Sequence, residues 1–434
     1  MKTGAETPIR VLHVFGKIGL GGAESRIMDL YRNMDRERVQ FDFLVHSEPD
    51  RTGKKCPTSD ELMSVREPDY FDSAITQLGG RIYAVPRFCG TNLADYRRAL
   101  DEFFRAHQGT WKVVQGHMTS TAAIYLPIAR KYGAGITCSH VRSGGTDPGL
   151  KGVMTNLLRR PLQKEKTVDF RFTCTEDAGR KVYGDALADA GKVRVIPNAI
   201  NVEKFAFTPL VRETLRKELH LENAVVIGHV GRFHYAKNHE YLLRVFAEFV
   251  RMVEDDEKNE YVMLHGLPLR LMLLGEGELM EGSRKLAEEL HISQNVMFMN
   301  NRSNVSAYYQ AMDYFCFPSR YEGLPGTVVE AQASGLQCLI SDAITEEVVL
   351  TELVSRMSIE LPPRKWAEKI LSDLMLEGSD AQKRAQADRM PVSEYAIGDR
   401  AGSSAYITDA IRRAGFDVKT QAMMMMYFYE NGHF

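Results

Sequence analysis

Glu322 and Glu330 stand eight positions apart in the stretch SRYEGLPGTVVEA (319–331), on either side of a Gly-Leu-Pro-Gly turn. The apolar run YFCFPS (314–319) ahead of them reads as a strand. GTVVEAQAS (326–334), closed by Gly335, reads as a helix. The turn then lies at a helix N-terminus, whose unbonded backbone N–H groups suit a phosphate. Carboxylates repel phosphate, so the two acids suit another part of a ligand. Vicinal hydroxyls fit them, as ribose hydroxyls fit the acidic residue of dinucleotide folds. The pairing points to a ligand with both phosphate and sugar hydroxyls. A helix-capping Glu beside a surface Glu would give the same letters.

A second group lies in GHVGRFHYAKNHEYLLRVF (228–246), where a strand ends at Gly231-Arg232 and a helix begins near Asn238. Arg232 and Lys237 fall in the loop between them. Two cations beside a helix N-terminus can neutralise a diphosphate, and a metal-free enzyme needs such charges to stabilise a departing nucleoside diphosphate. The chain has no Asp-x-Asp triplet and no His/Cys cluster with metal-ligand spacing, which favours side-chain cations over a metal. Nearer the start, VFGKIGLGGAESRIMDL carries Gly19, Gly21 and Gly22 between a strand and a helix. These glycines permit close backbone approach to a ligand without forming a dinucleotide fingerprint. LLGEGEL (273–279) is a similar turn. His117 ends the strand KVVQGH and His140 lies in TCSHVRSGG. Each could meet a sugar at the carboxyl end of its strand or pack as a structural histidine.

These loops require strands to hold them. Near-continuous apolar runs recur at 9–15, 41–47, 81–87, 112–117, 136–140, 170–175 and 193–198. After a break near 199–210 they resume at 225–232, 269–275, 295–300, 314–319 and 337–341. Helical patterns separate many of them, the signature of parallel sheets covered on both faces. The expected fold is α/β, with two doubly wound Rossmann-like domains facing across a cleft. The expected boundaries are 1–204 for the first domain and 205–404 for the second, with a helix at about 405–434 packing back on the first. Residues 48–72 read as an irregular insertion, and the acidic run EDDEKNE (254–260) as a solvated loop.

At 434 residues the chain is too long for one ordinary core. A formal charge of −2 gives no field to recruit nucleic acid. The cysteines show no C-x-x-C pair and read as reduced thiols of a cytoplasmic protein. No secretory signal and no membrane-spanning run is visible, so membrane contact would be peripheral. Residues 151–166, KGVMTNLLRRPLQKEK, mix basic and apolar residues. They could rest on anionic lipid at the inner face of the cell membrane, or form an ordinary amphipathic helix.

Together these stretches resemble the retaining glycosyltransferases of family 4, which have the GT-B fold. The acidic pair resembles the family's E-x7-E motif, and GRFHYAKN resembles its second signature. GGAE (21–24), VIPNAI and LLGEGEL also match. The wording YEGLPGTVVEAQASGLQCLISDAIT is closest to the branch that builds exopolysaccharide and capsule. The resemblance implies a nucleoside-diphosphate sugar donor, with uridine the expected base, and a glycan or polyprenyl-linked acceptor. It implies no cofactor and no metal. By the same resemblance Glu330 would hold the ribose and Glu322 the donor sugar, with His117 supporting the reaction face. Arg232, Lys237, Gly22, Gly323 and Leu324 would hold the diphosphate, and Arg302 and His140 could contact base or acceptor. Gly326 and Thr327 depart from the larger apolar residues usual there. A nucleotide-sugar 2-epimerase and a non-catalytic nucleotide-sugar-binding subunit are the alternatives.

Overall fold

Every strand pairing among the described residues is parallel. The computed structural model describes residues 7–48, 52–54, 56–142, 144–145, 149–255, 264, 266–388 and 400–434. The chain forms two compact units, residues 1–199 with 417–434 and residues 200–416.

The first unit contains β1 (Ile9–Val14), β2 (Val39–Ser47), β3 (Ile82–Pro86), β4 (Val113–Gly116), β5 (Ile136–Val141), β6 (Phe170–Thr173) and β7 (Val193–Val195). Their order in the sheet is β3-β2-β1-β4-β5-β6-β7. The second contains β8 (Val225–Val230), β9 (Leu269–Leu274), β10 (Val296–Phe298), β11 (Tyr314–Phe317), β12 (Gln337–Ser341) and β13 (Val354–Met357), ordered β10-β9-β8-β11-β12-β13. The central strands are buried along nearly their whole length because helices cover both faces, which is why they read as continuous apolar runs. In each sheet the order reverses between its first and fourth strands, β1 and β4 or β8 and β11. A ligand crevice opens at such a point, beyond the carboxyl ends of the strands. The glycine loop and His117 leave β1 and β4. The Arg232–Lys237 loop and the acidic turn leave β8 and β11.

Several elements differ from expectation. β13 has a half-buried, polar sequence (VSRM) at the edge of its sheet, so it lacks the apolar signature of an interior strand. The insertion at 48–72 holds a helix, Ser59–Val65, opened by a capping box between Thr58 and Glu61. The helix Arg400–Arg413 belongs to the second unit, and only residues from 417 onward return to the first. There the helix Val418–Asn431 buries Val418, Ala422, Met425, Met426, Phe428 and Tyr429 in the core formed by β1, β2 and the helix Gly22–Arg32. Most of the acidic run, 256–260, lies outside the described residues.

Candidate nucleotide-sugar site

In the second unit three loops meet backbone to backbone. Gly275 has φ +136°, and a Cβ there would lie 2.1 Å from the Gly231 carbonyl oxygen. One at Gly277 would lie 2.3 Å from the Phe233 carbonyl oxygen. Only glycine lets the β9 loop lie against the β8 loop this closely. The β8 loop is also tied to the turn after β11. Arg320 N–H donates to the Ala236 carbonyl at 2.7 Å. Asn238, which caps the helix His239–Glu254 from a left-handed conformation, donates its Nδ2 to the Pro318 carbonyl at 3.1 Å.

These ties place Lys237 Nζ 2.7 Å from Glu322 Oε1, with the ammonium 4.7 Å from the centre of the Phe317 ring. Acid and base are both largely shielded, so the pair is held in one orientation. Arg232 is different. Its side chain is 71 % exposed and reaches Glu278 Oε2 at 3.3 Å. An exposed pair of this kind contributes about 0–1 kcal/mol, so an incoming anion can displace Glu278 at little cost. Glu330 lies one turn into the helix Gly326–Ala333 and is buried. The Tyr309 hydroxyl donates to Glu330 Oε2 at 3.0 Å and lies 3.2 Å from the Thr327 carbonyl oxygen. That helix begins at Pro325, whose side chain makes no capping hydrogen bond. Gly323 is half-buried and Leu324 buried in the same turn.

Below this surface His229 and His239 pack against Phe317 and Phe233. Burial lowers His229 to about 3 and His239 to about 2, so both rings are neutral at pH 7. They are a wall and not a charge.

In the first unit, a Cβ on Gly22 would meet nothing within 4 Å, and the helix Gly22–Arg32 begins without a side-chain cap. His117 stacks on Phe15 with ring centres 4.3 Å apart. Arg142 Nε donates toward His117 Nδ1 at 3.4 Å, so the ring proton is on Nε2 and faces His13 Nδ1 at 3.1 Å. Desolvation first, then Arg142, holds His117 well below the usual histidine range. It is a neutral ring with both nitrogens engaged, not a proton source. His140, expected as a possible base or acceptor contact, lies buried within β5. It is 1 % exposed and takes a hydrogen bond from Gln115 Nε2 at 3.1 Å, while Gln115 Oε1 accepts from Tyr429 at 2.8 Å. Arg302 is exposed, with its Nε donated to the Met299 carbonyl.

Of the expected residues, the structure pairs Lys237 with Glu322 and buries Glu330 beside the Tyr309 hydroxyl. Sequence reasoning misses Tyr309 and Glu278, while Asn238 reads as the start of its helix. Among the described residues, no group of three His, Cys, Asp or Glu side chains is gathered to hold a metal ion.

Two doubly wound parallel sheets, each with its loops at the switch point, define the GT-B architecture. The chain matches the family described as "Glycosyl transferases group 1" over residues 211–389 and "Glycosyl transferase 4-like domain" over 21–199. It is 31 % identical over 366 residues to EpsF of Bacillus subtilis, which carries the name of a glycosyltransferase, covering 83 % of this chain and 86 % of that one. It is 24 % identical to the Escherichia coli UDP-Gal:alpha-D-GlcNAc-diphosphoundecaprenol alpha-1,3-galactosyltransferase, over 74 % of this chain and 79 % of that one. The structure of Anabaena HepE in complex with UDP and glucose shares the fold, with a TM-score of 0.67 at 15 % identity over 98 % of this chain and 100 % of that one. The chain belongs to this glycosyltransferase family.

Proposed function

We propose that this glycosyltransferase moves a sugar from a uridine diphosphate donor to a glycan or polyprenyl-linked acceptor of exopolysaccharide or capsule synthesis, with retention of configuration and without a metal ion. The observation that carries the reading is the trio in the second unit: Lys237 paired with Glu322, beside an uncapped helix N-terminus, with buried Glu330 held by Tyr309. A diphosphate would take its countercharge from Lys237, Arg232 and the amides near Gly323 and Leu324. Glu330 would accept from ribose hydroxyls and Glu322 from the sugar. As the sugar–phosphate bond breaks, charge grows on the leaving diphosphate, where these fixed donors stabilise it.

Relatives support the choice of donor and acceptor. The names of the E. coli galactosyltransferase and a Campylobacter jejuni transferase specify undecaprenol-linked acceptors. CapH of Staphylococcus aureus is named for capsular polysaccharide biosynthesis.

We also propose cytoplasmic action at the membrane surface. Among the described residues, no helix is long and apolar enough to cross a membrane. The helix Leu150–Arg159 exposes Val153, Met154 and Leu157 on one stripe, at 63 %, 48 % and 52 %, and exposed Arg160, Lys164 and Lys166 follow it. Two members of the expected patch face inward. Arg159 donates to Thr119 Oγ1 at 2.9 Å, and Leu162 is core. The Lys151 side chain lies outside the described residues.

The test is a panel of nucleotide sugars read by thermal shift, followed by product analysis with the stabilising donor in excess chelator. A ligand that binds only the folded state raises its melting temperature. The expected product is a new glycosidic bond of unchanged anomeric configuration. Epimerised free nucleotide sugar, inversion, or a metal-rescuable loss of turnover would each overturn the corresponding part.

A further inference from the structure

Arg400 is buried in the second unit, far along the chain from every motif above. Its Nε donates to the Ser334 carbonyl at 2.9 Å, Nη1 to the Met312 carbonyl at 2.9 Å and Nη2 to the Tyr309 carbonyl at 3.2 Å. Its guanidinium carbon lies 4.3 Å from the centre of the Phe207 ring. These carbonyls are not arbitrary. Ser334 caps the C-terminal end of the helix Gly326–Ala333, which carries Glu330. Tyr309 lies in the helix Val305–Ala311, and its hydroxyl grips the Glu330 carboxylate. Met312 caps that second helix. One planar cation therefore binds the carbonyl ends of both helices, where partial negative charge collects. The fixed fork of a guanidinium can hold three carbonyls in register, whereas an ammonium cannot impose such directions.

Ser334 also donates its N–H to the Glu330 carbonyl at 3.1 Å, and its hydroxyl lies within hydrogen-bond reach of the Glu330 and Phe205 carbonyls at 3.0 Å and 2.9 Å. Two routes thus run from Arg400 to Glu330, one through the helix backbone and one through the tyrosine ring. We propose that Arg400 is a positioning residue for the nucleotide site. It sets the depth and rotation of the Glu330 helix against Tyr309, so that the carboxylate is aimed before the ligand arrives. This rests on the reading of Glu330 as the ribose acceptor.

The test uses the full chain with UDP as the probe. Arg400→Met, Arg400→Lys, Tyr309→Phe and Glu330→Gln are compared by calorimetric UDP affinity, at a temperature where circular dichroism shows each folded. Arg400→Met should weaken UDP binding at least tenfold, with Arg400→Lys giving little rescue. The double variant Arg400→Met/Glu330→Gln should bind no worse than Glu330→Gln alone, because the arginine acts only through the carboxylate. A purely structural arginine would lower the melting temperature while leaving UDP affinity intact, or its loss would add to that of Glu330. Either result overturns the inference. If Arg400→Met does not fold, the same cycle is run with Arg400→Lys, judged by the same criterion. Wild-type protein that fails to bind UDP, or Glu330→Gln that binds it normally, instead strikes the underlying assignment of Glu330.

Discussion

Lys237 and Glu322 neutralise each other at 2.7 Å, yet the proposed donor asks different things of each. Lys237→Ala should weaken UDP binding more than tenfold, since one charge-assisted bond contributes about 1.5–3 kcal/mol. Glu322→Gln should spare UDP affinity and lower turnover, because UDP has no donor sugar for Glu322 to hold. Glu330→Gln should harm both, because ribose is common to UDP and donor. Titration calorimetry with UDP and initial rates separate the three. Identical profiles for the two glutamate variants would end the division of labour. Arg232→Ala should be milder than Lys237→Ala, since its exposed arm loses more order on binding. The acids and Lys237 were legible because turn chemistry and helix starts are local, within a dozen residues. Tyr309, 21 positions from Glu330, and Arg400, 66 positions from Ser334, were not. Their partners are chosen by packing, which leaves no periodic trace.

Among elements, the β9 loop depends on a backbone without side chains. Gly275→Ala should displace it from the β8 loop, because the added Cβ would sit 2.1 Å from a carbonyl oxygen and φ is +136°. The expected signs are a lower melting temperature together with weaker UDP binding. Unchanged values of both would show that the loops yield freely. The helix Leu150–Arg159 carries the membrane prediction. Replacing Val153 and Leu157 with Ser, or Arg160 and Lys164 with Glu, should reduce co-sedimentation with anionic vesicles, at about 1 kcal/mol for each basic residue near the surface. Equal binding by wild type and both variants at low salt would remove this face as the anchor. Interior strands were visible in the sequence because burial on two faces forces apolar runs. β13 escaped because an edge strand needs only one covered side, and Ser59–Val65 escaped because its short apolar content hides a capping box that could have announced it.

At the scale of the whole molecule, buried neutral histidines give stability a pH dependence of definite sign. Burial holds His13 at about 3 and His46 at about 4 in the first unit, His229 at about 3 and His239 at about 2 in the second. An unfolded histidine takes up its proton near 6.5. Below that pH the unfolded chain gains protons that the folded chain refuses. Stability is therefore fully present above about pH 6.5 and falls on acidification, by about 1.4 kcal/mol per histidine per pH unit until the folded values are approached. Scanning calorimetry from pH 8 to 5 should show a level melting temperature above pH 7 and a steep fall below 6. A level curve down to pH 5 would contradict the burial of these rings as neutral species. His239→Phe should soften the fall.

The return of residues 417–434 to the first unit has a consequence for how the protein is made. During synthesis the first sheet emerges early, but its core lacks Phe428, Tyr429 and the methionines beside them until the ribosome has translated the entire second unit. Tyr429 meets Gln115 across 314 residues of chain, a loop whose closure must wait. The second unit is contiguous and can fold in one piece first, reversing the usual N-to-C order of domains on the ribosome. A released chain cut after residue 416 would then carry a complete second unit and an open first sheet, the species a chaperone would be expected to hold.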